Sequence, residues 1–131
     1  MGKGKILVVD DENDVRDVIR LRLEQKGFNV LEAVDGENAI NILQSGDNMV
    51  NVGLILCDIR MPKVNGVEAI EFLKKEAPGI PIVVITGYPD TELATGLLKK
   101  GVKDYLVKPV EKEKLLAVVD ELIAAGKDID F

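Results

Sequence analysis

Four short apolar runs constrain this chain more than any other feature: Ile6-Leu7-Val8-Val9, Leu54-Ile55-Leu56-Cys57, Ile82-Val83-Val84-Ile85 and Tyr105-Leu106-Val107. Each is continuous rather than alternating, is rich in β-branched or aliphatic residues, and ends at polar or turn residues. A strand with one wet face alternates apolar and polar positions, whereas an unbroken apolar strand needs cover on both faces, as in a parallel sheet. A fifth run, Asn29-Val30-Leu31-Glu32-Ala33, is mixed, as expected of an edge strand. Pro81 opens the run it precedes, a position a strand tolerates.

Segments of helical period separate these runs. Val15, Val18, Ile19 and Leu23 form one stripe, with Asn13 or Asp14 as N-cap and Gly27 as the stop. Gly36 to Gln44 carries Ala39, Ile40 and Leu43, and Val67, Ile70, Leu73 and Ala77 repeat the stripe up to Pro78-Gly79. Leu93, Leu97 and Leu98 mark a fourth helix ended by Gly101. A fifth runs from Val110 to Ala125 and is closed by Gly126. Strand and helix therefore alternate five times, which predicts an α/β doubly wound parallel sheet with right-handed crossovers and helices on both faces.

A chain of 131 residues suits one domain with a core of its own. With 47% hydrophobic residues it has the apolar content that disordered chains lack. No apolar run approaches the roughly 20 residues of a membrane helix, and the run after Lys5 is too short for a signal peptide. The expectation is a soluble cytoplasmic domain that makes no membrane contact. The absence of histidine excludes a Ser-His-Asp triad and His-ligated metals. The lone Cys57 cannot form an internal disulfide or a Cys₄ zinc site. A net charge of −6 repels a phosphate backbone, so no direct nucleic-acid binding by this domain is expected.

In doubly wound sheets ligands bind beyond the carboxyl ends of the strands, at the switch in strand order. The first strand ends in Asp10-Asp11-Glu12, the third in Asp58, the fourth in Thr86-Gly87 and the fifth in Lys108-Pro109. If the order is 2-1-3-4-5, the first and third strands are neighbours and the acids converge. Clustered aspartates repel one another unless a cation sits among them, and an oxygen-only donor set is Mg²⁺-like. Lys108 and Thr86 would add two donors facing an anion. Together these residues make a place for a phosphoryl group, with a carboxylate as nucleophile.

Leu7-Val8-Val9-Asp10-Asp11-Glu12, Asp58-Ile59-Arg60-Met61-Pro62 with Gly66, Ile85-Thr86-Gly87 and Tyr105-Leu106-Val107-Lys108-Pro109 together resemble the receiver domain of two-component response regulators, in order and in spacing. The resemblance runs from about Lys5 to Ala124. It implies a flavodoxin-like five-stranded sheet of order 2-1-3-4-5 with five helices. The expected unit is a single receiver domain over 1–131, with a core of about 5–125 and a short tail at 127–131.

The resemblance further implies that Asp58 accepts phosphate from a phosphohistidine on a sensor histidine kinase or phosphotransfer protein. It makes Asp11 and Asp58 direct Mg²⁺ ligands, with Asp10 acting mainly through water and the Arg60 carbonyl completing the set. Lys108 contacts the phosphoryl group, Thr86 moves toward it, and Tyr105 turns inward as a switch. The Lys108–Pro109 peptide bond is expected to be cis. Arg60 and Tyr88 occupy positions that tune dephosphorylation in the family, the alternative being solvent-facing side chains. The switch would act on the face of the fourth helix, fifth strand and fifth helix, toward an output protein or output domain. A phosphorylation-dependent homodimer is a further family habit.

Duller roles compete with each of these. Asp10-Asp11 could only cap a helix, Lys108 could be a surface lysine, Thr86 a cap, and Tyr105 packing. Cys57 points away from Asp58 across the sheet and is expected to be structural. The segment from Ser45 to Gly53 is longer than the usual family link, and would extend the second helix or form an exposed apolar loop. Two other functions compete with the switch. A Mg²⁺-dependent phosphohydrolase needs a substrate pocket and a second acid–base group, which the short loops do not supply. A phosphorylation-independent binding module would need a broken acceptor set, and here the set is intact. Flavin or dinucleotide binding is disfavoured, since acids rather than a Gly-rich loop follow the first strand.

Overall fold

Five strands form one parallel sheet in the order β2-β1-β3-β4-β5: β1 (Lys5–Val9), β2 (Asn29–Ala33), β3 (Val52–Ile59), β4 (Ile82–Thr86) and β5 (Asp104–Val107). The computed structural model describes residues 4–59, 64–87 and 91–129, and only the backbone of 64–67 and 125–129. Helices α1 (Asn13–Gln25) and α6 (Lys112–Ile129) cover one face; α2 (Gly36–Leu43), α4 (Val64–Glu76) and α5 (Thr91–Lys99) cover the other.

Strand alternation splits the apolar residues into two cores. Ile6, Val8, Leu54, Leu56, Val83 and Ile85 pack with Ile19 and Leu23 of α1 and with Leu115, Val119 and Ile123 of α6. Leu7, Val9, Ile55, Cys57, Ile82 and Val84 pack with Ile40, Leu43, Ile70, Leu73 and Leu97. Each fully buried Leu or Ile contributes about 1.5–3 kcal/mol relative to exposure, so the unbroken apolar strands dictate cover on both sides. Cys57 is buried in the core opposite Asp58, and burial pushes its thiol up to about 12, in keeping with a structural role.

Several local expectations need correction. The run Tyr105-Leu106-Val107 is an edge strand rather than a doubly covered one, with Val107 exposed, because the order 2-1-3-4-5 leaves β5 only one neighbour. Val18, assigned to the buried stripe of α1, is exposed, and Ile19 and Leu23 carry the contact. The N-cap of α1 is Glu12, not Asn13 or Asp14: its backbone is extended and its carbonyl accepts the Arg16 N–H at 3.1 Å, the first bond of the helix. Gly27 (φ 90°) and Gly101 (φ 102°) do sit in the left-handed region after α1 and α5. Gly126, expected to end the last helix, lies within α6: one interior glycine costs about 1 kcal/mol, and no proline follows to stop the turn.

The segment after α2 neither extends that helix nor remains a loop. Gly46 turns the chain (φ 55°), and a separate single turn, α3 (Asn48–Asn51), follows, making a sixth helix. Asn48 anchors it, donating to the Ile42 carbonyl at 2.8 Å and accepting from Lys5 Nζ at 3.3 Å. Met49 packs on the core while Val50 faces outward.

Candidate functional site

Parallel pairing of β1 with β3 brings the first two acids together. Val9 pairs with Cys57, so Asp10, immediately after β1, and Asp58, penultimate in β3, lie side by side one step further on. Alternation places both on the face of Val8 and Leu56. Their side chains are almost wholly buried, at 0% and 3% exposed. Asp11 and Glu12 are exposed at the rim, and carboxylate oxygens from Asp10, Asp11, Glu12 and Asp58 all lie within 4.8 Å of one another.

Lys108 enters from the end of β5. Its Nζ lies 2.9 Å from Asp58 Oδ1, 3.7 Å from Asp10 Oδ2 and 3.6 Å from Glu12 Oε1. Its backbone N–H donates to the Thr86 carbonyl at 2.7 Å, tying the loop to β4. The Lys108–Pro109 peptide bond is cis, as the family resemblance implied. Arg22 of α1 holds the far side of this turn, donating from Nη1 to the Val110 carbonyl at 2.8 Å.

One ammonium does not balance four carboxylates. Burial pushes the Asp58 carboxyl up to about 6; Asp10 adds to that, and Lys108 works against it. Burial likewise raises Asp10, with the Glu12 N–H and Lys108 opposing. Burial acts against the charge of Lys108, but Asp58, Asp10 and Glu12 more than compensate and raise its pKa. Asp10 Oδ2 and both Asp58 oxygens are buried, and among the described residues the ammonium of Lys108 is the group that answers their charge. This donor set, all oxygen and all anionic, fits a hard divalent cation such as Mg²⁺.

Residues 6–120 match the family model of the response regulator receiver domain. This chain belongs to that family. The receiver domain is 32% identical over 121 residues to the transcriptional regulatory protein FixJ of Bradyrhizobium diazoefficiens, covering 92% of this chain and 57% of that protein. It is 34% identical over 125 residues to ZraR of Escherichia coli K12, covering 95% of this chain and 27% of ZraR. The chain thus spans only part of the length of these curated relatives. Among solved structures, a receiver domain protein from Clostridium thermocellum superposes with a TM-score of 0.83 at 30% identity, covering 96% of this chain and 98% of that one. A CheY-like receiver domain protein from Methanospirillum hungatei gives 0.82 at 28% identity, with coverage of 96% and 98%.

The receiver fold thus gathers Asp10, Asp11, Asp58 and Lys108. Thr86 is buried at the end of β4, paired with Ile59 one step beyond the pairing of Asp58 with Ile85. Tyr105 is half-buried on β5, pairs with Val84 and packs against the core that contains Leu97. Arg60 and Tyr88 lie outside the described residues. Two members of the site went unassigned from sequence. Glu12 belongs to the acidic cluster and contacts Lys108, and its place directly after Asp11 was the available signal. Arg16, which grips the Asp10 carbonyl, gave no sequence signal beyond its basic charge.

Proposed function

We propose that this receiver domain is a phosphorylation-controlled switch whose acceptor is Asp58. The observation that carries the proposal is a buried Asp58 carboxylate ion-paired to Lys108 at 2.9 Å, among acids that gain from a cation. A carboxylate oxygen of Asp58 attacks the phosphorus of a phosphohistidine on a sensor histidine kinase or phosphotransfer protein. The new P–O bond forms as the P–N bond breaks, leaving an acyl phosphate on Asp58 and returning the imidazole to the donor. Asp11 and Asp58, with Asp10 through water and the Arg60 carbonyl, would hold Mg²⁺. Bound there, the ion neutralises phosphoryl oxygen charge. Lys108 contributes the second positive charge, already held in place by Asp58 and Asp10.

Phosphorylation adds charge and three strong acceptors beside Thr86. Thr86 turns toward them, Tyr105 follows inward, and the surface of α5, β5 and α6 is altered for an output protein or output domain. Leu98 on α5 and Val107 on β5 are exposed apolar side chains on that surface and suit a docking role. Arg60 and Tyr88 would tune the lifetime of the acyl phosphate. The chain acts only on its own phosphorylation state, in the cytoplasm, as a single domain whose phosphorylated form pairs with an output partner or with a second copy. Among the described residues no helix is long and apolar enough to cross a membrane. The net charge of −6 argues against direct nucleic-acid contact by this domain.

Intact-mass spectrometry after incubation with a small acyl-phosphate donor tests the proposal. One Mg²⁺-dependent phosphoryl adduct is expected on the wild type and none on Asp58→Asn. A wild type that stays unmodified with active donor and metal would overturn it.

A further inference from the structure

Arg16 is held by more contacts than a surface arginine needs. Its side chain is 12% exposed, and all three guanidinium nitrogens are engaged. Nη1 donates to the Asp10 carbonyl at 2.6 Å, Nη2 to Asn13 Oδ1 at 2.6 Å, and Nε to Glu32 Oε1 at 3.0 Å. Glu32 belongs to β2, directly across from Val8, so the guanidinium joins the edge strand, the β1–α1 turn and α1 itself. Arg20 braces the far oxygen of Glu32 at 3.4 Å.

These contacts fall on the residue that most needs restraint. The Asp10 N–H donates to the Ala33 carbonyl at 3.0 Å, and its Oδ1 accepts the Glu12 N–H at 2.8 Å. With Arg16 on the carbonyl, every polar group of Asp10 is committed except Oδ2, the buried oxygen that faces Asp58 and Lys108. Repulsion among the acids would otherwise drive the β1–α1 turn outward.

We infer that Arg16 is a positioning residue for the cation site, holding Asp10 and the turn that carries Asp11 and Glu12 in the geometry that receives a divalent ion. The inference rests on the Mg²⁺ site proposed above. Position and charge make opposite predictions. Arg16 adds positive charge close to a cation site, so its removal would tighten Mg²⁺ binding if charge alone mattered. If Arg16 acts by position, its removal loosens binding, and outer-shell partners of metal ligands typically alter affinity by about 10–100-fold.

The experiment is a Mg²⁺ titration followed by backbone amide shifts of Asp11 and Asp58, on wild type, Arg16→Ala, Arg16→Lys and Lys26→Ala. Urea midpoints are measured on the same samples. Arg16→Ala should weaken Mg²⁺ by about tenfold or more. Arg16→Lys keeps the charge but lacks the planar fork, so it should fall with the alanine variant and gives a readout should that variant fail to fold. Lys26→Ala removes one positive charge at the exposed C-cap of the same helix, the end away from Asp10 and Glu32, and should leave affinity unchanged. Unchanged or tighter binding in the Arg16 variants overturns the inference while the cation site stands, and so does an equal loss in Lys26→Ala. A wild type that does not bind Mg²⁺ overturns the proposed site and this inference together.

Discussion

Asp10 and Asp58 are carboxylates kept under packed side chains with a single lysine between them, and that arrangement costs folding energy. The Asp58 carboxyl is raised from 3.8 to about 6, so in this range the native state holds a proton that the unfolded chain releases. Stability therefore falls as pH rises through roughly 4 to 6, the sign required when the native state binds more protons. Asp58→Asn removes that penalty. We expect a higher urea midpoint than wild type at neutral pH without Mg²⁺, by an amount bounded at about 3 kcal/mol, and no advantage at pH 4. An Asp58→Asn protein no more stable than wild type at pH 7 would contradict the strained carboxylate. Asp10 and Asp58 were legible as site residues because each directly follows a continuous apolar run. The grip of Arg16 on the Asp10 carbonyl was not, since it depends on β2 bringing Glu32 beside α1, a contact between distant parts of the chain.

Among the elements, α5 is the one most suited to move. It carries Gly96 in its interior, and it lies between β4 and β5, which end in Thr86 and Val107. A Cβ at Gly96 meets nothing within 4 Å, so alanine fits. Gly96→Ala should stabilise the protein by about 0.5–1 kcal/mol in urea unfolding. Native-state hydrogen exchange should find α5 less protected than β3 and β4; equal protection would argue against a mobile switch helix. Apolar periodicity revealed the existence of α5, but it did not reveal the exposure of Leu98, because a stripe marks a helix face and not the width of its contact. The single turn α3 was equally hidden: a four-residue helix has no period, and Asn48 is what fixes it.

At the scale of the molecule, the fivefold alternation of strand and helix along the chain was readable because each apolar run must be covered on both sides. The strand order was not contained in that alternation; it came with the motif resemblance, and the sheet bears it out. Both cores should matter to the site, since β3 contributes to each and carries Asp58 at its end. Leu56 and Ile55 are fully buried on opposite faces of β3. Leu56→Ala and Ile55→Ala should each cost about 2–5 kcal/mol by urea unfolding, and a loss below 1 kcal/mol at either would show that its face is loosely packed.

The central claim is that the buried carboxylate of Asp58, rather than a neighbouring acid, takes the phosphoryl group. Borohydride converts an aspartyl phosphate to homoserine, which peptide sequencing then locates. After treatment with an acyl-phosphate donor and Mg²⁺, the account predicts homoserine at position 58 alone. Homoserine at Asp10 or Asp11 with position 58 intact would contradict it.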